Sequence, residues 1–145
     1  MGIAFTSRLI LGAVTPLGLA LALFACATPG HKGGAPFVAS VGPDGIQRVE
    51  VVGGTYYFEP SRVVVKANVP VELKLRKEPD VIPHSFILNA PEAGIAITHV
   101  LTTEPRVYLF TPTKAGTYPF FCSEKLPFFP SHREEGMEGV LEVLP

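Results

Sequence analysis

The stretch Val71-Glu72-Leu73-Lys74-Leu75-Arg76 alternates strictly between apolar and charged residues. Successive side chains of a β-strand point to opposite faces, so this alternation predicts a strand with one buried and one solvent-facing side. Seven further stretches have a similar period or a short apolar run between turn residues. These predicted strands are Gln47–Val52, Val63–Lys66, His84–Asn89, Ile95–Leu101, Arg106–Phe110, Thr117–Cys122 and Met137–Leu144.

Turn-forming residues separate the predicted strands. The 145 residues include 15 Pro and 14 Gly, too many for a helical bundle, and no long helical period or internal repeat is present. Short strands at this spacing predict an all-β fold, a two-sheet antiparallel Greek-key β-sandwich, over residues 46–145. About 100 residues is enough to bury the core of such a sandwich. The net charge of −1 argues against a nucleic-acid-binding surface.

The N-terminal segment has the pattern of a secretory signal. Arg8 precedes an apolar run, Leu9–Ala25. The last three residues of this run and the cysteine that follows it form the sequence Leu23-Phe24-Ala25-Cys26. This ending resembles the lipobox of bacterial lipoproteins, in which the cysteine is lipidated. We therefore predict a signal peptide over residues 1–25. Soluble secretion after cleavage and an uncleaved transmembrane anchor remain alternatives, although Pro16 and the short run disfavour the anchor.

Residues 26–45 are rich in Gly, Pro and Ala and predict a flexible linker, lipidated at Cys26, that holds the domain off a membrane. The predicted localisation is therefore extracytoplasmic and membrane-anchored, in the periplasm or at the outer cell surface.

The rare residues point to a metal site. With Met1 as initiator and Cys26 in the leader, the folded part keeps Cys122 and Met137, and His132 lies between them. One loop between two predicted strands presents all three side chains. Cys122 shares its strand parity with Phe120, which predicts that the thiol points inward. A disulfide between Cys26 and Cys122 is the alternative for the two cysteines.

His84 shares the parity of Phe86 and Leu88, which predicts a buried imidazole. A lone buried His is more often a hydrogen-bonded core residue, but a sandwich can bring this strand start beside the loop that carries Cys122. Two His, one Cys thiolate and a weak Met are the ligands typical of a blue-copper site. A thioether as fourth ligand argues against structural zinc, which usually takes four Cys or His ligands.

The chain resembles the cupredoxins, the plastocyanin and azurin superfamily. The resemblance rests on His84-Ser85-Phe86, Ala115–Tyr118, Phe121-Cys122 and His132–Gly139. It implies one type-1-like copper ion with His84 and His132 as imidazole ligands, Cys122 as thiolate and Met137 as axial ligand. It also implies a one-electron carrier between redox proteins at the membrane surface, rather than an enzyme.

The loop between Cys122 and His132 has nine residues, more than in the small electron carriers of this family. Its length resembles the type-1 domains of copper nitrite reductases, and a perturbed green or red site is an alternative. Glu124 is a candidate oxygen ligand in one variant. Phe128 and Phe129 either form a docking patch for a redox partner or fill the core beneath the loop.

Three other functions remain open from the sequence. One is a copper-binding or copper-delivery module without electron transfer. Another is a catalytic cupredoxin, for which His99 would need help from a neighbouring subunit. The third is a metal-free adhesion sandwich, which leaves the Cys, His and Met pattern unexplained.

Overall fold

The computed structural model describes residues 1–2 and 34–145. Apart from its first two residues, the predicted signal peptide lies outside this range, as do the predicted lipidation site Cys26 and the start of the linker. The described chain forms ten strands and a short 3₁₀ helix. They are β1 Phe37–Val38, β2 Gln47–Gly54, β3 Tyr57–Glu59, β4 Arg62–Lys66, β5 Val71–Lys77, β6 Ser85–Ala90, the 3₁₀ helix Pro91–Ala93, β7 Ile95–Val100, β8 Arg106–Phe110, β9 Gly116–Phe121 and β10 Glu138–Leu144. Over the described ranges, no helix has the length and apolar character needed to cross a bilayer.

The strands form two sheets, which confirms the predicted all-β sandwich. One sheet has six strands in the order β1-β4-β10-β9-β6-β7, and the other has four in the order β3-β2-β5-β8. Both sheets are mixed rather than purely antiparallel, because β1 pairs parallel with β4, β4 with β10 and β2 with β5. Between β2 and β5 the chain passes through β4 of the other sheet, and parallel neighbours require a crossover connection of this kind.

All eight predicted strands are present, with ends that shift by at most two residues. Two short strands, β1 and β3, were not predicted. Strand β1 falls inside the predicted linker 26–45, where Phe37 pairs with Val63 and Ala39 is buried. The ordered sandwich therefore begins before residue 46, the predicted start of the domain.

The core lies between the two sheets, and three phenyl rings form its part nearest to the predicted metal ligands. The rings of Phe86 and Phe120 stack at 5.0 Å between centroids, and Phe58 meets both of them edge-on. Each ring is almost completely buried, which stabilises the fold by roughly 1.5–3 kcal/mol per side chain. Phe86 lies two residues after His84 and Phe120 two residues before Cys122, so this packing anchors the strand ends that carry both residues.

Candidate metal centre

The three predicted strong ligands come from two connections at one end of the sandwich. His84 directly precedes β6, Cys122 directly follows β9, and His132 lies in the loop between β9 and β10. Strands β6 and β9 are antiparallel neighbours, with Leu88 opposite Phe120. The start of β6 and the end of β9 therefore meet at the same edge, and residues 84 and 122 become neighbours.

The donor atoms of these residues converge in a buried place. Nδ1 of His84 lies 3.2 Å from Nδ1 of His132, and Sγ of Cys122 lies 3.5 Å from the same His132 nitrogen. The three donor atoms all lie within 4.8 Å of one another. Exposure is 0% for His84 and Cys122 and 2% for His132. The spatial requirement for a shared ion, that the thiol and the distant imidazole meet, is fulfilled.

These spacings fit a common metal ion. Protein nitrogen and sulfur ligands bind transition metals at about 2.0–2.3 Å, so two ligands of one ion lie about 3–4 Å apart. The observed separations of 3.2 and 3.5 Å fall in this range. One soft sulfur and two imidazole nitrogens suit copper in both of its common oxidation states. The residues present therefore fit a single copper ion.

Electrostatics favours the metal-binding form of His84. Burial lowers the pKa of this imidazole, the neighbouring His132 lowers it further, and Asp80 opposes both effects. The side chain is therefore neutral at ordinary pH, and only a neutral imidazole has a lone pair to give to a metal.

A carboxylate lies on the far side of the same ring. Oδ2 of Asp80 is 3.5 Å from Nε2 of His84, close enough for attraction although not a well-formed hydrogen bond. Lys77 holds this carboxylate with an ion pair of 2.6 Å, and the hydrogen bond lowers the pKa of Asp80. A carboxylate behind a ligand imidazole helps to orient the ring.

The long loop is held by its own hydrogen bonds. A bridge between Lys125 and Ser131 leaves residues 126–130 as the tip of a small hairpin. Ser131 then begins a turn. Its main-chain nitrogen and its hydroxyl donate hydrogen bonds to the carboxylate of Glu134, at 2.7 and 2.6 Å. His132 is the second residue of this turn, and its nitrogen donates to the carbonyl of Glu124 at 2.9 Å. The side chain of His132 is thus presented by a closed turn rather than by a strand.

Met137, the predicted axial ligand, is fully buried, and its main chain is hydrogen-bonded to two of the three donor residues. Its nitrogen donates to the carbonyl of His132 at 2.8 Å, and its carbonyl accepts from the nitrogen of Cys122 at 3.0 Å. Its terminal methyl group packs toward Gly53 of β2, where an added Cβ would lie 3.3 Å away. The side chain therefore points into the sandwich, and ligation by the thioether stays a prediction.

Ser85 contacts the sulfur, and Ser123 contacts Ser85. The main-chain nitrogen of Ser85 donates to Sγ of Cys122 at 3.3 Å, and the Ser85 hydroxyl lies 3.7 Å from the same sulfur. That hydroxyl also accepts a hydrogen bond from the nitrogen of Ser123 at 2.9 Å. A serine that follows a His or a Cys has no distinctive pattern in a single sequence, so only the folded chain reveals this link between the two ligand segments.

The remaining candidates lie apart from the donor cluster. The carboxylate of Glu124 is not among the grouped donors, and neither is His99, which packs edge-on against Tyr108. Phe128 is 105% exposed and Phe129 is 64% exposed. The alternative in which these two rings fill the core beneath the loop is therefore wrong, and their role in docking stays a prediction.

Taken together, the architecture defines a class: a two-sheet Greek-key sandwich with a buried two-His, one-Cys metal site at one end. The model of the cupredoxin-like domain family matches residues 16–136, and the chain belongs to this family. Family, fold and donor group are together consistent with a copper-binding domain whose cofactor is one type-1-like copper ion. None of the curated proteins matches the chain significantly.

Several solved structures share the fold. Reduced auracyanin from Roseiflexus castenholzii superposes with a TM-score of 0.55 and 16% identity over 74% of this chain and 99% of that one. The metal-binding domain of the Cu(I)-exporting P-type ATPase of Streptococcus pneumoniae gives 0.54 and 21% over 75% and 95%. Auracyanin A from Chloroflexus aurantiacus gives 0.50 and 21% over 69% and 100%. At identities this low, the superpositions establish a likeness of fold alone.

Proposed function

We propose that this protein is an extracytoplasmic, membrane-tethered one-electron carrier. In this proposal His84, Cys122 and His132 hold one copper ion, and Met137 supplies a weak fourth ligand. The observation that carries it is the buried convergence of two imidazole nitrogens and one sulfur, with spacings of 3.2 and 3.5 Å. When bound, copper supplies the ability to take up and release one electron.

The protein part of the work is to hold the donor atoms still. His84 and Cys122 sit at the ends of paired strands above the packed phenyl rings, and His132 and Met137 are tied by main-chain hydrogen bonds. Donors fixed in this way change position little between the two oxidation states. Burial of all four residues also excludes water from the site. Little reorganisation and a dry site both favour fast electron transfer over bond-making chemistry.

The first test is the optical and paramagnetic spectrum of the copper-loaded, oxidised protein. We expect an intense thiolate-to-copper band near about 600 nm, or a shifted counterpart if the long loop perturbs the site. The band should be lost in C122S and kept in H99Q, a control for a His outside the donor cluster. Fully loaded wild-type protein without such a band would refute a type-1 centre.

The same sample separates a carrier from a copper-delivery module. A carrier bleaches with ascorbate and recovers its colour with hexacyanoferrate(III), at unchanged copper content. Release of the copper on reduction would contradict the proposed carrier and support delivery.

For docking, we propose the exposed rings of Phe128 and Phe129 as a contact for a redox partner. They lie at the tip of the loop that carries His132, so a partner that covers them comes close to this ligand. A V107S/L109S variant is a matched control, because those two apolar side chains are 48% and 70% exposed on β8, away from the loop.

The double variant F128S/F129S should slow electron transfer to a c-type cytochrome but not to hexacyanoferrate(III). Copper content should stay unchanged, and stability should change by less than about 0.5 kcal/mol per site because both rings are exposed. Equal cytochrome rates for F128S/F129S and wild type would contradict the docking role.

The tether is proposed from the signal pattern over residues 1–25 and from Cys26. Expressed in a bacterium, the full-length chain should fractionate with membranes, and C26A should appear in the soluble extracytoplasmic fraction. Membrane association that persists in C26A would instead support an uncleaved anchor.

A further inference from the structure

The turn between β2 and β3 carries a backbone conformation that its residue type disfavours. Tyr56 has a φ of +62°, in the left-handed region where glycine is the usual residue of a tight turn. Asn68 also has a positive φ, of 60°, but asparagine tolerates this region far better than an aromatic residue does. Glycine at position 56 would relieve the turn. Phe128 has a similar φ of 68° although its side chain is fully exposed, so a positive φ alone assigns no role, and Tyr56 is distinguished by the contact that its ring makes.

The ring of Tyr56 makes that contact with the metal centre. It meets the imidazole of His132 edge-on, at 5.0 Å between centroids and 73° between planes. Tyr56 is only half-buried, whereas His132 is 2% exposed. One side of the tyrosine ring therefore faces the imidazole and the other faces solvent.

His132 depends on such a neighbour more than His84 does. His84 adjoins strand β6 and has Asp80 behind its ring at 3.5 Å. His132 comes from a loop turn, and its Nε2 has no hydrogen-bond partner within the described residues. The edge contact with Tyr56 thus covers a ring that no strand supports.

We propose that Tyr56 is a positioning residue of the metal centre. Its ring sets the plane of the His132 imidazole and closes that side of the site to water, and the strained turn is the cost of placing it there. This inference rests on the proposed function in so far as His132 is a copper ligand. It assigns a role in metal retention to a half-buried residue of a tight turn.

The test compares variants at two positions with positive φ. Y56G relieves the turn and removes the ring, Y56N removes the ring but still tolerates a positive φ, and Y56F keeps the ring. N68G is the matched control, because Asn68 lies in the turn between β4 and β5 at the opposite end of the sandwich. Copper affinity, the rate of copper transfer to bathocuproine disulfonate and the visible spectrum are measured on each loaded protein.

We expect Y56G and Y56N to bind copper about 10-fold or more weakly, the effect typical when a supporting neighbour of a metal ligand is lost. Their copper transfer should be faster and their visible band shifted. Y56F and N68G should match wild type in all three properties. Wild-type affinity and spectrum in both Y56G and Y56N would overturn the inference, and if Y56G does not fold, Y56N alone decides the same comparison.

A measurement on metal-free protein separates this inference from the proposed function. The main-chain N–H of His132 donates to Glu124 at 2.9 Å, and its hydrogen–deuterium exchange reports whether the turn stays closed. Exchange should accelerate in Y56G and Y56N but not in N68G. Wild-type protein without a copper band would refute the proposed function, whereas unchanged exchange at His132 in both ring-deleting variants would overturn the positioning role alone.

Discussion

Replacement of Ser85 by alanine removes one of the two groups that surround the sulfur of Cys122. The main-chain N–H of Ser85 still donates to Sγ at 3.3 Å, but the hydroxyl 3.7 Å from the sulfur is lost. The same hydroxyl accepts a hydrogen bond from the nitrogen of Ser123 at 2.9 Å, so S85A also removes the acceptor of that donor, which belongs to a solvent-exposed residue. The substitution therefore perturbs both the electronics of the site and the stability of the fold.

The expected change in reduction potential follows from the strength and the sharing of this contact. A hydrogen bond to a charged group contributes about 1.5–3 kcal/mol. Here the distance is long, and the hydroxyl is shared with Ser123 Oγ at 3.0 Å. We therefore expect this hydrogen bond to stabilise the reduced state over the oxidised state by only about 0.5–1 kcal/mol, less than the full strength of such a bond. Since 59 mV corresponds to about 1.4 kcal/mol for one electron, the shift is about 20–40 mV.

The sign of the shift follows from charge. The reduced site carries one more negative charge than the oxidised site, and a hydrogen-bond donor at the sulfur stabilises negative charge. Loss of the donor therefore favours the oxidised state and lowers the potential in S85A. The free energy of unfolding should fall by about 0.5–1.5 kcal/mol, because the Ser123 N–H loses its acceptor but lies on a solvent-exposed residue.

Spectroelectrochemical titration of the copper-loaded protein measures the potential, and urea unfolding of the metal-free protein measures stability. S85T keeps a hydroxyl at the same position and serves as the control, with a potential close to that of wild type. An unchanged or raised potential in S85A, at full copper content, would refute the reasoning about the sulfur.

Two further predictions concern stability. Burial lowers the pKa of both His84 and His99, so these residues take up protons near pH 6.5 in the unfolded chain but only at lower pH in the folded one. The unfolding free energy of metal-free protein should therefore fall as the pH drops below about 6.5. Urea unfolding at pH 5 to 8 measures this dependence, and H99Q should make the unfolding free energy less dependent on pH. An identical dependence in H99Q and wild type would contradict the prediction. A methyl group added at Gly139 would overlap the ring of Phe120 and a main-chain oxygen, so G139A should lower the free energy of unfolding by about 1–3 kcal/mol. G34A, whose added Cβ makes contacts no closer than 3.7 Å, should unfold like wild type. Equal urea midpoints for G139A and wild type would show that this part of the sandwich can relax.

Much of the fold was predictable because strand formation leaves a local record. The period of two in Val71–Arg76 appears as a strand whose apolar residues Val71, Leu73 and Leu75 are buried. Similarly, the shared parity of Phe120 and Cys122 appears as two inward side chains. Burial of alternate residues depends only on the pleat of each strand, so one sequence is enough to predict it.

The pairing of strands is not local, and the sequence did not reveal it. Nothing in the residues of β2 or β5 distinguishes a parallel from an antiparallel neighbour, since the same alternation serves both. Strands β1 and β3 were missed for a related reason. Phe37–Val38 and Tyr57–Glu59 are too short to show a period, and pairing with longer strands makes them regular.

The sequence by itself determined the kind of site, because only a small set of residue types can bind copper and few of them occur in the folded part. The tertiary structure decided how that site is supported. It brings Ser85 to the sulfur of Cys122, places Tyr56 against His132 and leaves Phe128 exposed at the loop tip. These three residues have no distinctive local pattern. The contact of Ser85 exists only once β6 pairs with β9, and the contact of Tyr56 with His132 exists only once the two sheets have packed.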